Sequence, residues 1–218
     1  TSNFITTHPS TLNFLKKKKN FHYLPIPVDK NIEKLKIYEN KNQICDVFFS
    51  MSHGVNRGKL KRDKEDERHN FITDLITECP NIVFDIYGYK NREPVWAEDF
   101  YKVIVNSKMA LNLTRGKPIK YLTSNRIASL IGNGLLTFID KKTKLDNFFN
   151  KNEVIFYSNL QDLAEKIKRY KGDDKARMKI AKNGRKKYFE LFECQKISDY
   201  IISKSFNRES SKLLKWMD

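Results

Sequence analysis

With 218 residues, the chain can bury a substantial core as one large domain, or as one domain plus part of a second. Apolar residues make up 39% and aromatics 12%, in runs that recur at regular intervals, which excludes an extended disordered chain despite 31% charged residues. Forty-two Lys and Arg against 26 Asp and Glu give a net charge of +16, which either favours an anionic partner (nucleotide, nucleic acid, acidic membrane) or resides on solvated faces.

The opening "SNFITTHPSTLNFLKKKKNFHYLPIPVD" reads as strand, short helix, strand and a turn stiffened by Pro25 and Pro27, one βαβ unit ending in a linker. Lys16 to Lys19 reads as a solvated helix end. Lys30 to Asn42 is expected as a helix or a surface connection, and "DVFFS" as a buried strand leading into the polar loop "MSHGVNRGKLKRD". A helix from about Lys64 to Cys79 carries Phe71, Ile72, Leu75, Ile76 and Cys79 on one face, and Pro80 ends it.

Strand "IVFDIYG", a helix across "EDFYKVIVNS", strand "MALNL", a helix within "TSNRIASLIGNG" and strand "LLTFI" follow. A short helix at Lys144 to Phe149 precedes strand "EVIFY". "SNLQ" at Ser158 to Gln161 has capping-box spacing, and Leu160, Leu163, Ala164 and Ile167 give the next helix its apolar face. Two basic helices, about Asp173 to Glu190 and Gln195 to Lys204, come next, and the tail with Leu213, Leu214 and Trp216 is expected as a last amphipathic helix.

Cys45, Cys79 and Cys194 are too widely spaced for a zinc motif or a disulfide framework and read as reduced core thiols of a cytosolic protein. No apolar run approaches the roughly 20 residues of a membrane-spanning helix, and no signal peptide is recognisable. The chain opens on Thr1 instead of Met, so a processed or trimmed piece of something longer is expected.

Strands alternating with helices and carrying continuous apolar runs predict a doubly wound, parallel α/β sheet covered on both faces. Such sheets bind ligands at the carboxyl ends of their strands. After "DVFFS", Ser50, Ser52, Gly54, Gly58, Arg57 and Lys59 combine close backbone approach with mobile positive charge, which suits a diphosphate; the same loop also reads as a solvated glycine-containing turn. It has neither GxGxxG nor a Walker pattern. His53 is a candidate base or a surface histidine, and Tyr87 with Gly88 could receive a flat base or simply end their strand.

Arg115, after "ALNL", is a candidate phosphate contact. Thr123 or Ser124 can cap the following helix, whose first amides carry partial positive charge and suit a phosphate. Capping explains the serine but not Asn125 and Arg126 beside it.

"ALNLTRGKPIKYLTSNRIASLIGNGLLTFIDKKTKLDNFF", "NEVIFYSNLQDLAEKIKRY" and "ARMKIAKNGRKKYFE" resemble the carboxyl-terminal half of GT-B glycosyltransferases, especially the family typified by the spore-maturation protein CgeB. "HYLPIPVD" is similar to the interdomain linker and "DVFFSMSHG" to the first strand and loop of the donor-binding domain, so the resemblance runs from about Tyr23 to Tyr200. It implies a Rossmann-like domain at 46–195, preceded by the last unit of an amino-terminal domain (1–25) and a linker (26–45), and followed by a helical tail (196–218).

The resemblance further implies transfer of a sugar, hexose-like, from a nucleoside diphosphate sugar to an acceptor, with no metal or other cofactor. Ser52, Gly54, Arg57, Lys59, Arg115, Ser124, Asn125 and Arg126 would hold the diphosphate, and Tyr87, Gly88 and Ser129 the base or ribose. Relatives carry a Glu where this chain has Ser129, so the ribose contact is altered. The amino-terminal half that would carry acceptor contacts and the catalytic base is expected to be missing. A cytoplasmic location, with peripheral contact to the inner face of an acidic membrane, fits this reading. The competing readings are a basic, non-catalytic α/β module for nucleic acid or acidic membrane, with nucleic acid disfavoured because no aromatic-basic motif is present, and a degenerate structural GT-B domain.

Overall fold

Continuous apolar strands need cover on both faces, and the chain supplies it with helices between successive strands. The computed structural model describes residues 4–7, 21–51, 67–206 and 208. Strands β1 (Phe4–Thr6) and β2 (Phe21–Tyr23) pair in parallel as a small sheet of their own. The main sheet contains β3 (Cys45–Ser50), β4 (Phe84–Tyr87), β5 (Ser107–Asn112), β6 (Leu136–Asp140) and β7 (Ile155–Tyr157). All its pairings are parallel, in the order β4-β3-β5-β6-β7. The chain therefore winds outward from β3 to β4, returns, and winds the other way from β5, leaving a topological switch point between β3 and β5.

The helices are α1 (Glu67–Glu78), α2 (Ala97–Ile104), α3 (Asn125–Gly132), α4 (Leu160–Gly172), α5 (Asp174–Phe192) and α6 (Cys194–Ser205). Strand alternation sorts the core. Val47, Phe49, Met109, Leu111, Leu136 and Phe138 meet Ile72 and Leu75 of α1 and Leu163 and Ile167 of α4. On the opposite face Phe48 and Ala110 meet Ile104 of α2 and Leu130 of α3, while Ile139 packs with Ile127 and Ile131 of α3 and Tyr188 and Phe192 of α5. The expected doubly wound, Rossmann-like α/β architecture is present.

Several local expectations are corrected. Of the two readings of Lys30 to Asn42 the connection holds and the helix does not: Lys36 adopts a left-handed φ of 45°, and only a 3-10 turn at Ile37–Glu39 follows, with Ile37 buried. Lys144 to Phe149 shortens to a 3-10 turn at Leu145–Asn147, which the left-handed Lys144 (φ 56°) separates from another at Lys141–Thr143. The helix cap after β7 falls one residue later than the sequence spacing placed it. Asn159 caps α4 by accepting from the Asp162 amide at 2.9 Å, and the Asp162 carboxylate reaches back to the Ser158 amide at 2.8 Å. Among the cysteines only Cys79 is a core thiol; Cys45 and Cys194 are half-buried. The Lys16 to Lys19 block and the tail with Leu213, Leu214 and Trp216 lie outside the described residues.

The two ends of the main unit meet. The Val28 amide donates to the Phe192 carbonyl at 2.9 Å and the Cys194 amide to the Val28 carbonyl at 2.8 Å, a parallel bridge between the segment before β3 and the one after α5. Beyond it, α6 packs Ile197 and Tyr200 on Leu24, and the Tyr200 hydroxyl lies 3.1 Å from His22 Nδ1.

Candidate functional site

A cleft of about 560 Å³ opens where the switch point predicts a ligand site, a volume that suits a small molecule. Ser50 and Met51 at the end of β3 supply its floor. The segment Val95 to Ala97 with Phe100 and Tyr101 of α2 forms one wall, and Ser124, Asn125, Arg126 and Ser129 of α3 form the other, with Ile26 at the edge.

Why α3 starts here is visible in its first turn. Ser124 is extended (φ −132°, ψ 160°) and its hydroxyl accepts from the Ile127 amide at 3.3 Å, a serine N-cap. Thr123 does not cap. It is buried, and its hydroxyl accepts from the Ile26 amide at 2.8 Å while Tyr23 bonds the Tyr121 carbonyl beside it. The loop before α3 is thus tied to the segment before β3, which fixes the direction of the helix axis. Ser124, Asn125 and Arg126 of this end line the cleft, so the positive end of the helix dipole lies at it.

Arg126 is half-buried. Its Nη1 donates to the Leu113 carbonyl at 2.9 Å, and its guanidinium carbon lies 4.9 Å from the centre of the Phe49 ring. The side chain therefore runs from α3 across to the end of β5, held by a charge-assisted hydrogen bond and an aromatic face. Among the described residues Arg126 is the charged side chain that lines the cleft, and no carboxylate does. Asn125 is exposed at the rim. Ser129 lies one turn further along; its carbonyl accepts from the amide and side chain of Asn133, and its hydroxyl has no hydrogen bond among the described residues. Asn112, outside the cleft lining, is buried at the end of β5 with Oδ1 unpartnered among the described residues, an uncommon condition for a buried oxygen.

The aromatic wall went unrecognised in the sequence. Phe100 meets Phe48 edge-on at 5.4 Å and Tyr101 at 5.8 Å, so the wall is anchored in the core. Trp96 is 61% exposed at the lip. Ala97, beside it, adopts a left-handed φ of 49°, a conformation a Cβ disfavours and one that recurs at ligand sites. Neither the exposure of the indole nor the left-handed Ala97 is readable from the sequence, which offers only a Trp just before a helix.

Tyr87 and Gly88 do not line the cleft. The Tyr87 ring lies under the Arg92 guanidinium, 3.7 Å from its carbon, with Arg92 paired to Asp85 at 2.5 Å; burial, with Asp85 nearby, pushes the Tyr87 hydroxyl pKa up. Gly88 is buried at φ 73°, and a Cβ there would overlap the Met51 carbonyl. Its place is to let the end of β4 press against Met51, a floor residue of the cleft. Arg115 is exposed on the loop after β5, outside the cleft lining. Ser52, His53, Gly54, Arg57 and Lys59 lie outside the described residues.

Comparison with solved structures agrees with this architecture. The chain is similar to sucrose-phosphate synthase from Thermosynechococcus elongatus, with 13% identity and a TM-score of 0.60 over 93% of this chain and 57% of that one. It is also similar to Anabaena HepE in complex with UDP, with 13% identity and a TM-score of 0.66 over 94% of this chain and 64% of that one. A further HepE structure, in complex with UDP-glucose, matches at 13% identity and a TM-score of 0.60, over 93% of this chain and 64% of that one. The chain thus spans less than two thirds of each, and the likeness establishes the Rossmann-like fold of GT-B glycosyltransferases. No curated protein matches it in sequence. The model of the glycosyl transferase-like family matches residues 64–203, most of the chain, and includes the aromatic wall and the whole of α3: this chain belongs to that family.

Proposed function

We propose that this chain binds a nucleoside diphosphate sugar in the cleft and passes the sugar to an acceptor, as the carboxyl-terminal, donor-binding half of a CgeB-like GT-B transferase. The observation that carries this reading is the convergence of the α3 amino terminus, Arg126 and the aromatic wall on one cleft that no carboxylate lines among the described residues. The diphosphate rests on the amides of Asn125 and Arg126 and on the Ser124 side of the helix end. The base lies against Trp96, Phe100 and Tyr101, a reassignment from Tyr87 and Gly88, and the ribose near Ser129.

Arg115 and the loop with Ser52, Gly54, Arg57 and Lys59 add positive charge from the same sheet edge. As the bond to the sugar breaks, negative charge grows on the departing diphosphate, and fixed amides and guanidinium groups stabilise it there without a metal. The transferred group is a hexose in this reading, and the site of action is the cytoplasm. We read 1–25 as the last unit of an amino-terminal domain, 26–45 as linker, 46–195 as the donor domain and 196–218 as a helical tail; the separate β1–β2 sheet supports that division.

Because the similar HepE structures contain UDP and UDP-glucose, UDP is the first probe. Calorimetric titration with UDP, GDP and their sugars is expected to give saturable binding. Trp96→Ala should weaken it about fivefold to a hundredfold, as loss of one base-aromatic stack does. Absence of binding by every nucleotide at millimolar concentration overturns the donor reading.

A further inference from the structure

The outer edge of the main sheet carries a second, unrelated concavity. A groove of about 650 Å³ runs beside β7, the edge strand, between α4 and α5. Lys151, Lys166, Arg169 and Lys179 line it, and among the described residues no carboxylate does. Its floor is apolar, with Ile155, Tyr170 and Ile180 buried, and Asn183 closes one end by donating to the Asn152 carbonyl at 3.1 Å.

The four cations differ in what they are already doing. Lys166 donates to the Phe156 carbonyl at 2.7 Å and pairs with Asp162. It thereby occupies the outward-facing carbonyl of the edge strand, so the groove does not offer an open strand to a peptide. Lys151, Arg169 and Lys179 are exposed and have no carboxylate partner among the described residues. Like charges gathered in a concave site repel one another until an anion joins them, and the low-dielectric walls concentrate their field. A volume of this size suits a compact polyanion with an attached apolar or neutral part.

We propose that this groove is a second anion-binding site, for a phosphate-bearing group carried by a lipid headgroup or by a soluble phosphate ester. It shares no lining residue with the donor cleft, so both can be filled at once, and the proposal does not rest on the donor reading. Lys151, Arg169 and Lys179 supply the charge-assisted hydrogen bonds and the apolar floor takes the remainder of the molecule.

The test compares the whole chain with two triple variants of equal net charge. One carries Lys151→Gln, Arg169→Gln and Lys179→Gln in the groove; the other carries Lys34→Gln, Lys41→Gln and Lys142→Gln, all exposed and away from it. All three proteins are mixed with phosphatidylcholine vesicles with and without phosphatidylglycerol and assayed by co-sedimentation. Tripolyphosphate is titrated separately, read by amide NMR shifts of residues 151–156 and 179–183.

The groove variant is expected to bind about a hundredfold more weakly, while the control variant stays close to the parent. Vesicle binding alone identifies a lipid headgroup and tripolyphosphate binding alone a soluble ester; either supports the site. Equal losses in both variants, or no binding of either probe by the parent, overturns it.

Discussion

Replacing Arg126 by Ala should damage two properties by different amounts. In the unliganded protein the guanidinium bonds the Leu113 carbonyl at 2.9 Å and covers the Phe49 ring at 4.9 Å. A hydrogen bond from a charged donor contributes about 1.5–3 kcal/mol and a cation–π contact about 0.5–1 kcal/mol. Because the side chain is half-buried, the lower part of that range applies, roughly 2 kcal/mol, which lowers Tm by about 4–8 °C in a chain of this size.

Binding should suffer separately: loss of a charge beside the diphosphate weakens UDP by about tenfold to a hundredfold. Arg126→Lys separates the effects. An ammonium keeps the charge and restores much of the affinity, but it cannot both stack flat on Phe49 and bond Leu113, so the Tm stays low. Calorimetry with UDP and a thermal melt on the three proteins measure both. If Arg126→Ala lowers the Tm while the UDP affinity stays within about twofold of the parent, Arg126 is a structural tie and the phosphate assignment is refuted.

Three further expectations follow from named contacts. Ser129→Glu should tighten UDP about tenfold, since a carboxylate bonds ribose hydroxyls more strongly than a hydroxyl does; an unchanged or weaker affinity refutes the ribose placement. Gly88→Ala should cost about 2–4 kcal/mol in urea unfolding, because φ is 73° and the new Cβ overlaps the Met51 carbonyl; a loss under about 0.5 kcal/mol would contradict the close approach. Burial opposes the charge of Asp46, yet bonds from Lys171, the Val83 amide and Lys108 hold its carboxyl below the ordinary range. The unfolded chain then binds the proton more readily, so the stabilisation is complete above about pH 4 and is lost as pH falls through the lowered folded value. Asp46→Asn should flatten that acid limb in unfolding curves taken from neutral pH downward, and an unaltered limb would assign it to other carboxylates.

The order of strands and helices was legible because apolar runs and helical spacing are properties of short windows, and the Ser124 cap was legible because its chemistry is local. Local chemistry also misled where a single backbone angle decided the outcome. Lys144 in a left-handed conformation separates the 3-10 turns Lys141–Thr143 and Leu145–Asn147, where Leu145, Phe148 and Phe149 suggest a helix, and no feature of lysine announces it. The aromatic wall depended on tertiary placement: Phe100 read as one apolar position of a helix, and only the folded chain sets it against Phe48 and along the cleft. Tyr87 and Gly88 end their strand as the sequence suggests but lie outside the cleft lining, and Arg92, nearby in the chain, folds back over the Tyr87 ring.

The bridge at Val28 bears on how such a unit moves between proteins. Its first and last residues lie a hydrogen bond apart, with the Val28 amide 2.9 Å from the Phe192 carbonyl. A segment whose two ends coincide can be set into a surface loop of a host with little strain, and the host chain leaves close to where it came in. Residues 28–194 have the geometry of a cassette, whose insertion would lengthen a host's loop without spreading the loop's ends.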